Sequence, residues 1–247
     1  GLFLLSIFLF GCSNEVIPID QPIQDNINTS DQQPVTPPVH DVEVTPKDIN
    51  IIAEANNKFA FDLYSKYKTE DGNIFISPYS ISTALAMTYE GAKGQTAKEM
   101  QNVLYLPENT ELRRSVISQI YKDINRDDKK YKLSTANALW AQDRFEFRKN
   151  YFDLVQNYYG GSATNLDFIG DTENSRLVIN NWVEERTNDK IKDLIPSGAL
   201  TAETRLVLTN AIYFKGTWVK QFNKNDTKEQ DFRVAPNKNV KIPMMQR

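Results

Sequence analysis

The sequence predicts an α+β fold in which helices alternate with extended segments around a central strand buried on both faces. Three observations carry this. Segments with apolar residues three to four positions apart, the spacing of one helical face, alternate with short extended runs. The run Leu206-Val-Leu-Thr-Asn-Ala-Ile-Tyr-Phe214 is apolar at almost every position, as a strand must be when both of its faces are covered. The chain has 247 residues, 40% of them hydrophobic and 25% charged, which suits one large domain or two small ones. A core of that size needs no disulfide or metal staple.

The chain opens on Leu2 to Phe10, an apolar run interrupted only by Ser6. It is too short to span a bilayer and has the length of a signal-peptide core. The run ends at Leu9-Phe10-Gly11-Cys12, which resembles a bacterial lipobox, where the cysteine is acylated and becomes the new N-terminus. Residues 1–12 are therefore expected to be a signal peptide and Cys12 a lipid anchor. Residues 13–48 carry six of the eleven prolines and no hydrophobic period, as expected of a disordered linker. A coil of that length would hold the domain roughly 35 Å from a membrane. The protein is then extracellular or cell-surface.

Ile51, Ile52, Ala55, Phe59 and Leu63 share one face of a helix that should end before Asp71-Gly72. Asn73 to Ser77 should be extended. Ser77 can cap the next helix, with Pro78 in its first turn and Ile81, Ala84 and Leu85 on its apolar face up to Gly91. Thr96-Ala-Lys-Glu99 has the form of a capping box, opening a short helix that buries Met100, Val103 and Leu104 and closes before Pro107. Glu111 to Ile124 should be a helix with Val116, Ile117, Ile120 and Tyr121 on one side. Leu133 to Trp140 reads as a strand, followed by a turn at Gln142-Asp143, a helix around Phe152 and a strand near Ala163 to Phe168. Asn174 to Thr187 is a helix with Val178, Ile179, Trp182 and Val183 together. Last comes the central strand, with Asn210 in its middle. An unpaired buried amide costs about 1 to 3 kcal/mol, so Asn210 must have partners.

Composition excludes much chemistry. Twenty-nine Lys and Arg against 32 Asp and Glu give a net charge of −3, without the basic excess that nucleic-acid binding requires. The single cysteine, Cys12, and the single histidine, His40, both precede the first helical pattern. A zinc site, a Cys/His pair and a Ser-His-Asp triad each need such residues inside a fold. Carboxylate-pair chemistry stays possible on composition, although abundance alone brings no pair together. Gly91-Ala-Lys-Gly-Gln-Thr96 lacks the glycine spacing and the Gly-Lys-Ser/Thr ending of a phosphate loop. No catalytic residue, metal site or small-molecule cofactor is expected.

From about Asn57 onward the chain resembles the serpins. The resemblance rests on Asn57-Lys-Phe-Ala-Phe-Asp-Leu63, Asn73-Ile-Phe-Ile-Ser-Pro-Tyr-Ser80, Ala84-Leu-Ala-Met87 and Gly91-Ala-Lys-Gly-Gln-Thr96. It continues through Asn137-Ala-Leu-Trp140, Ile179-Asn-Asn-Trp-Val183, Thr187, Lys190-Ile191 and Leu208-Thr-Asn-Ala-Ile-Tyr-Phe-Lys-Gly-Thr-Trp218, with Phe222. The family implies a helical N-terminal region packed on a large mixed central sheet. It also implies inhibition of a serine, possibly a cysteine, protease: an exposed loop is cleaved, enters the sheet as a new strand and traps the protease as an acyl-enzyme. On this resemblance the strand with Leu206, Leu208, Thr209, Phe214 and Lys215 borders the opening gap. Ser77, Ser80 and Asn210 match the shutter, a polar cluster beneath the sheet. Trp218 matches the breach, where the loop first enters, and Asn174 to Thr187 the helix lying across the sheet. The domain, 49–247, would be incomplete, with its last sheet strands and reactive loop beyond Arg247. A non-inhibitory serpin acting as a binding or structural module is the alternative.

Overall fold

Two faces of one sheet organise the chain. A computed structural model describes residues 2–9, whose backbone path it gives, together with 43–126 and 131–246; Cys12, His40 and nearly all of the expected linker lie outside them. The described residues divide into a larger unit, 2–9 with 43–126 and 133–213, and a smaller one, 131–132 with 214–246.

The first helix, α1 (Pro46–Tyr67), begins three residues ahead of the expected linker boundary. Thr45 caps it: its hydroxyl accepts from the Asp48 N–H, and the Asp48 carboxylate accepts from the Thr45 N–H at 3.0 Å. The Thr45 hydroxyl, which also donates to the Asp48 carboxylate at 2.6 Å, and then the Thr45 N–H hold the Asp48 carboxyl below the usual carboxylate range. Proline counting assigns Pro46 to the linker, but a proline at the first helical position is a start signal. The capping box is therefore here. At the expected place, α3 (Gly94–Leu104) starts two residues before Thr96, and its cap residue Lys93 makes no side-chain bond. Gly94, at φ +56°, turns the chain into the helix early and leaves Thr96 inside the first turn.

Between these lies α2 (Pro78–Tyr89), capped by Ser77; α4 (Thr110–Asn125) follows, capped by Asn109. Then come β2 (Tyr131–Gln142), α5 (Lys149–Tyr159), β3 (Gly161–Leu166), α6 (Thr172–Arg186) and β4 (Leu206–Gly216). Asn73 to Ser77 joins no strand pair among the described residues. The apolar run Leu2–Leu9 forms β1, antiparallel to β4 from Leu2 opposite Tyr213 to Leu9 opposite Leu206. The sheet order is β1-β4-β2-β3, with β2 and β3 parallel, so the sheet is mixed and the fold is α+β.

Period-two alternation sorts the core. Leu139 of β2 and Leu208 of β4 pack with Ala84, Ala86 and Met87 of α2 and Val155 and Tyr159 of α5. Ala138, Trp140 and Val207, one residue out of phase, pack on the other face with Phe168, Ile179, Ile195 and Leu200. Helices α2 and α5 thus cover one face and α6 the other, which is why β4 reads as apolar throughout.

In the smaller unit, β5 (Lys228–Ala235) and β6 (Lys238–Met244) form an antiparallel hairpin that the sequence reading did not anticipate. Phe232 and Val234 on β5, and Val240 and Ile242 on β6, alternate at period two, and this was the available signal. Lys241 pairs with the facing Asp231 at 3.0 Å.

Candidate functional site

The polar groups of interest lie on the α2 face of the sheet. Ser77 stands at the N-terminus of α2, where its hydroxyl accepts from the Ser80 N–H at 3.3 Å. That cap starts the helix so that Ser80, one turn in, is fully buried and points at β4. The Ser80 hydroxyl donates to the side-chain oxygen of Asn210. The Asn210 Nδ2 donates to Asn137 Oδ1 of β2 at 2.6 Å, and the Asn137 Nδ2 donates to the backbone carbonyl of Tyr159 at 2.8 Å. Each amide thus donates from its nitrogen and accepts at its oxygen. The requirement that a buried amide be partnered is met from two elements at once, α2 and β2.

Ser77 is not a partner of Asn210 in this arrangement. Its hydroxyl serves an orphan N–H of the helix start, a demand that every helix N-terminus makes. Asn137 takes the place that Ser77 was expected to fill. Its signal is weaker than that of Asn210: it precedes the apolar stretch Ala138–Ala141, but β2 also carries Lys132, Ser134, Thr135 and Gln142.

Thr209 belongs to the opposite face. Its hydroxyl accepts from the Trp140 Nε1 at 3.0 Å, and the Trp140 ring meets Trp182 of α6 edge to face at 5.5 Å and 84°. Arg186 lies over Trp182 in turn. Helix α6 is further tied by Asn180, which bonds both the N–H and the carbonyl of Ile195, and by Arg176 to the same carbonyl. Of the other strand residues, Leu208 is in the core and Leu206 is partly buried beside it. Phe214 is 45% exposed, Lys215 is exposed, and Trp218, in the segment after β4, is 75% exposed. All three belong to the smaller unit, where Phe214 meets Tyr131 with ring centroids 6.1 Å apart.

Beyond Tyr159 the polar groups become charged. The Tyr159 hydroxyl donates to Glu90 Oε1 at 2.9 Å, and Glu90 Oε2 accepts from Arg114 Nε at 3.0 Å and Nη2 at 2.7 Å. Arg113 Nη2 is 3.5 Å from Glu90 Oε1, and its guanidinium lies over the Tyr89 ring. Burial, then the neighbouring Glu90, pushes the Tyr159 hydroxyl well up, so it keeps its proton and remains a donor. The same two causes push Tyr151 up to about 12. Among the described residues no cluster of metal-ligating side chains occurs, and no helix is long and apolar enough to cross a membrane. The groups around Asn210, a hydroxyl, two amides and a carbonyl, hold strands and helices in place.

The profile for Serpin (serine protease inhibitor) matches residues 54–247, and the chain belongs to the serpin family. An uncharacterised serpin-like protein of Methanosarcina acetivorans is 46% identical over 198 residues, covering 78% of this chain and 47% of its own length. Human Serpin B3 is 41% identical over 208 residues, covering 78% of this chain and 53% of its own length. Among solved structures, emu ovalbumin superposes with a TM-score of 0.75 at 31% identity, over 78% of this chain and 54% of ovalbumin. Loop-cleaved human thyroxine binding globulin gives 0.73 at 28% identity, over 80% and 59%. The chain therefore spans about half the length of the curated relatives it matches.

Proposed function

We propose that this chain is part of a serpin-type inhibitor that traps a serine protease as an acyl-enzyme when its cleaved loop enters the sheet along the edge of β4 that β1 covers in this structure, an edge that removal of residues 1–11 would free. The observation that carries this reading is the double satisfaction of Asn210. A mid-strand amide bonded to both α2 and β2 holds β4 to its layer with directional bonds, and the bond to Ser80 must be exchanged if β4 slides over α2 as the sheet widens. A purely apolar strand would pack as well without that constraint. The test uses the protein extended to the length of its relatives and a panel of serine and cysteine proteases. A one-to-one complex resistant to denaturant is expected with one of them, and a substrate-like cleavage without complex across the whole panel would refute inhibition. That second result would favour a non-inhibitory binding module, a reading supported by the likeness to a protein named for binding thyroxine.

On the same proposal Cys12 is acylated and tethers the domain at the cell surface. Each buried methylene of an acyl chain adds about 0.8 kcal/mol of membrane affinity. Protein from its native host should partition with membranes, and Cys12→Ala should release or mislocalise it. Soluble, unlipidated wild-type protein would end the idea.

A further inference from the structure

The bonds beneath β4 continue past Asn137 into the charged cluster at the end of α2. Tyr159 is held at both ends: its carbonyl accepts from Asn137, and its hydroxyl donates to Glu90. Glu90 is in turn fixed by two guanidiniums from α4, Arg113 and Arg114. The backbone gives Tyr159 little freedom. Gly160, at φ +62°, turns the chain directly from α5 into β3, and a Cβ there would overlap the Tyr121 ring. Gly161 then pairs with Asn137, so the start of β3 and the Asn137 side chain report on the same point of the sheet. Tyr159 also lines, with Tyr79, Thr83 and Ala86 of α2, a cavity of about 40 Å³.

We propose that Tyr159 is a positioning residue that ties β4 to the Glu90–Arg113–Arg114 cluster, so that the cluster governs how readily β4 parts from α2. Glu90 fixes the Tyr159 hydroxyl, the Tyr159 carbonyl fixes Asn137, and Asn137 fixes Asn210. When Asn210 gives up its bonds, Asn137 turns and the end of α5 follows. Weakening the distant end lowers the barrier at the near end. The consequence for inhibition rests on the function proposed above, whereas the coupling itself does not.

A double-mutant cycle tests it. The Tyr159 hydroxyl and the Asn210 side chain share no hydrogen-bond partner, and substitutions at independent sites multiply in their effects on an exchange rate. Tyr159→Phe removes one hydroxyl and keeps the ring. In the 247-residue chain it is expected to speed amide hydrogen exchange in residues 206–213 by about 2- to 30-fold. Asn210→Ala should do the same, and the double variant should exchange little faster than the faster single one. Thr209→Val, on the opposite face, should multiply with Tyr159→Phe and so separates the relay from general loosening. Multiplication of the Tyr159 and Asn210 effects would overturn the relay, as would unchanged exchange in Tyr159→Phe. In the protein extended to the length of its relatives, Tyr159→Phe should also hasten spontaneous loop insertion and lower the complex yield. Coupled exchange in a protein that forms no protease complex would uphold the relay and refute the inhibitor reading.

Discussion

Glu90→Gln is expected to destabilise the larger unit by about 3 to 5 kcal/mol, the cost of stripping one partner from a buried ion pair. Among the described ion pairs Glu90 is the only carboxylate facing Arg113 and the nearer of two facing Arg114, whose Nη1 also lies 3.9 Å from the exposed Glu111; the Glu90 side chain is almost wholly enclosed. Glutamine keeps the shape and loses the charge. The buried Arg113 would then lose its only carboxylate among the described ion pairs, Arg114 would keep only the exposed Glu111, and Tyr159 would lose the anionic acceptor that makes its hydrogen bond strong. Arg113→Met should cost less, even though Arg113 is the more deeply buried arginine. It removes the second cation on Glu90, its Nε already lacks a partner, and Arg114 stays to neutralise Glu90. The loss would be the bond to the Pro107 carbonyl and the contact with Tyr89. Urea unfolding of the three proteins decides the matter. A Glu90→Gln change below about 1 kcal/mol would mean that the cluster is hydrated and carries little energy, and a larger cost for Arg113→Met would mean that the packing and hydrogen bond of Arg113 outweigh the charge of Glu90.

The regular elements of the larger unit were legible because each leaves a local pattern. The apolar faces of α1, α2, α4 and α6 recur at helical spacing, and β4 announces its double burial in nine successive residues. Element ends were less legible. Pro46 and Thr96 each satisfy a sequence rule, and only the backbone path decides whether a proline starts a helix or a threonine caps one. Asn210 stood out as a polar residue in an apolar strand, and the resemblance supplied Ser80 as its partner; the structure brings these two together. For Ser77 the sequence offered two roles, the helix cap that Pro78 after it marks and the shutter partner that the resemblance implies, and the structure shows the cap. The charged cluster left no local trace: Tyr159 and Glu90 are 69 positions apart, and neither is unusual among its neighbours. The hairpin of β5 and β6 was missed for a different reason. Both of its strands are largely exposed, so their alternation is diluted by charged residues such as Lys228, Asp231 and Lys241.

Asn210→Ala is expected to have the largest functional effect, through the state it destabilises. The substitution leaves the Ser80 hydroxyl and the Asn137 Oδ1 without their partner, at about 1 to 3 kcal/mol for each group that finds no substitute. The closed sheet bears that cost, because only there do α2, β2 and β4 meet through this side chain. In the protein extended to the length of its relatives, the native melting temperature should therefore fall by a few degrees, about 1 to 2 °C per kcal/mol for a protein about twice the length of this one. Spontaneous loop insertion or polymerisation should rise, and the yield of denaturant-resistant protease complex should drop as molecules inactivate beforehand. First binding of the protease should survive, since the loop itself is untouched. Thr209→Val is the matched control one residue away: it leaves Trp140 Nε1 unpartnered against α6 and lowers stability from the other face. It should loosen α6 without opening the α2 side. Equal insertion rates for wild type and Asn210→Ala, at measurably different stabilities, would show that Asn210 is a stabilising strand residue with no part in holding the sheet closed.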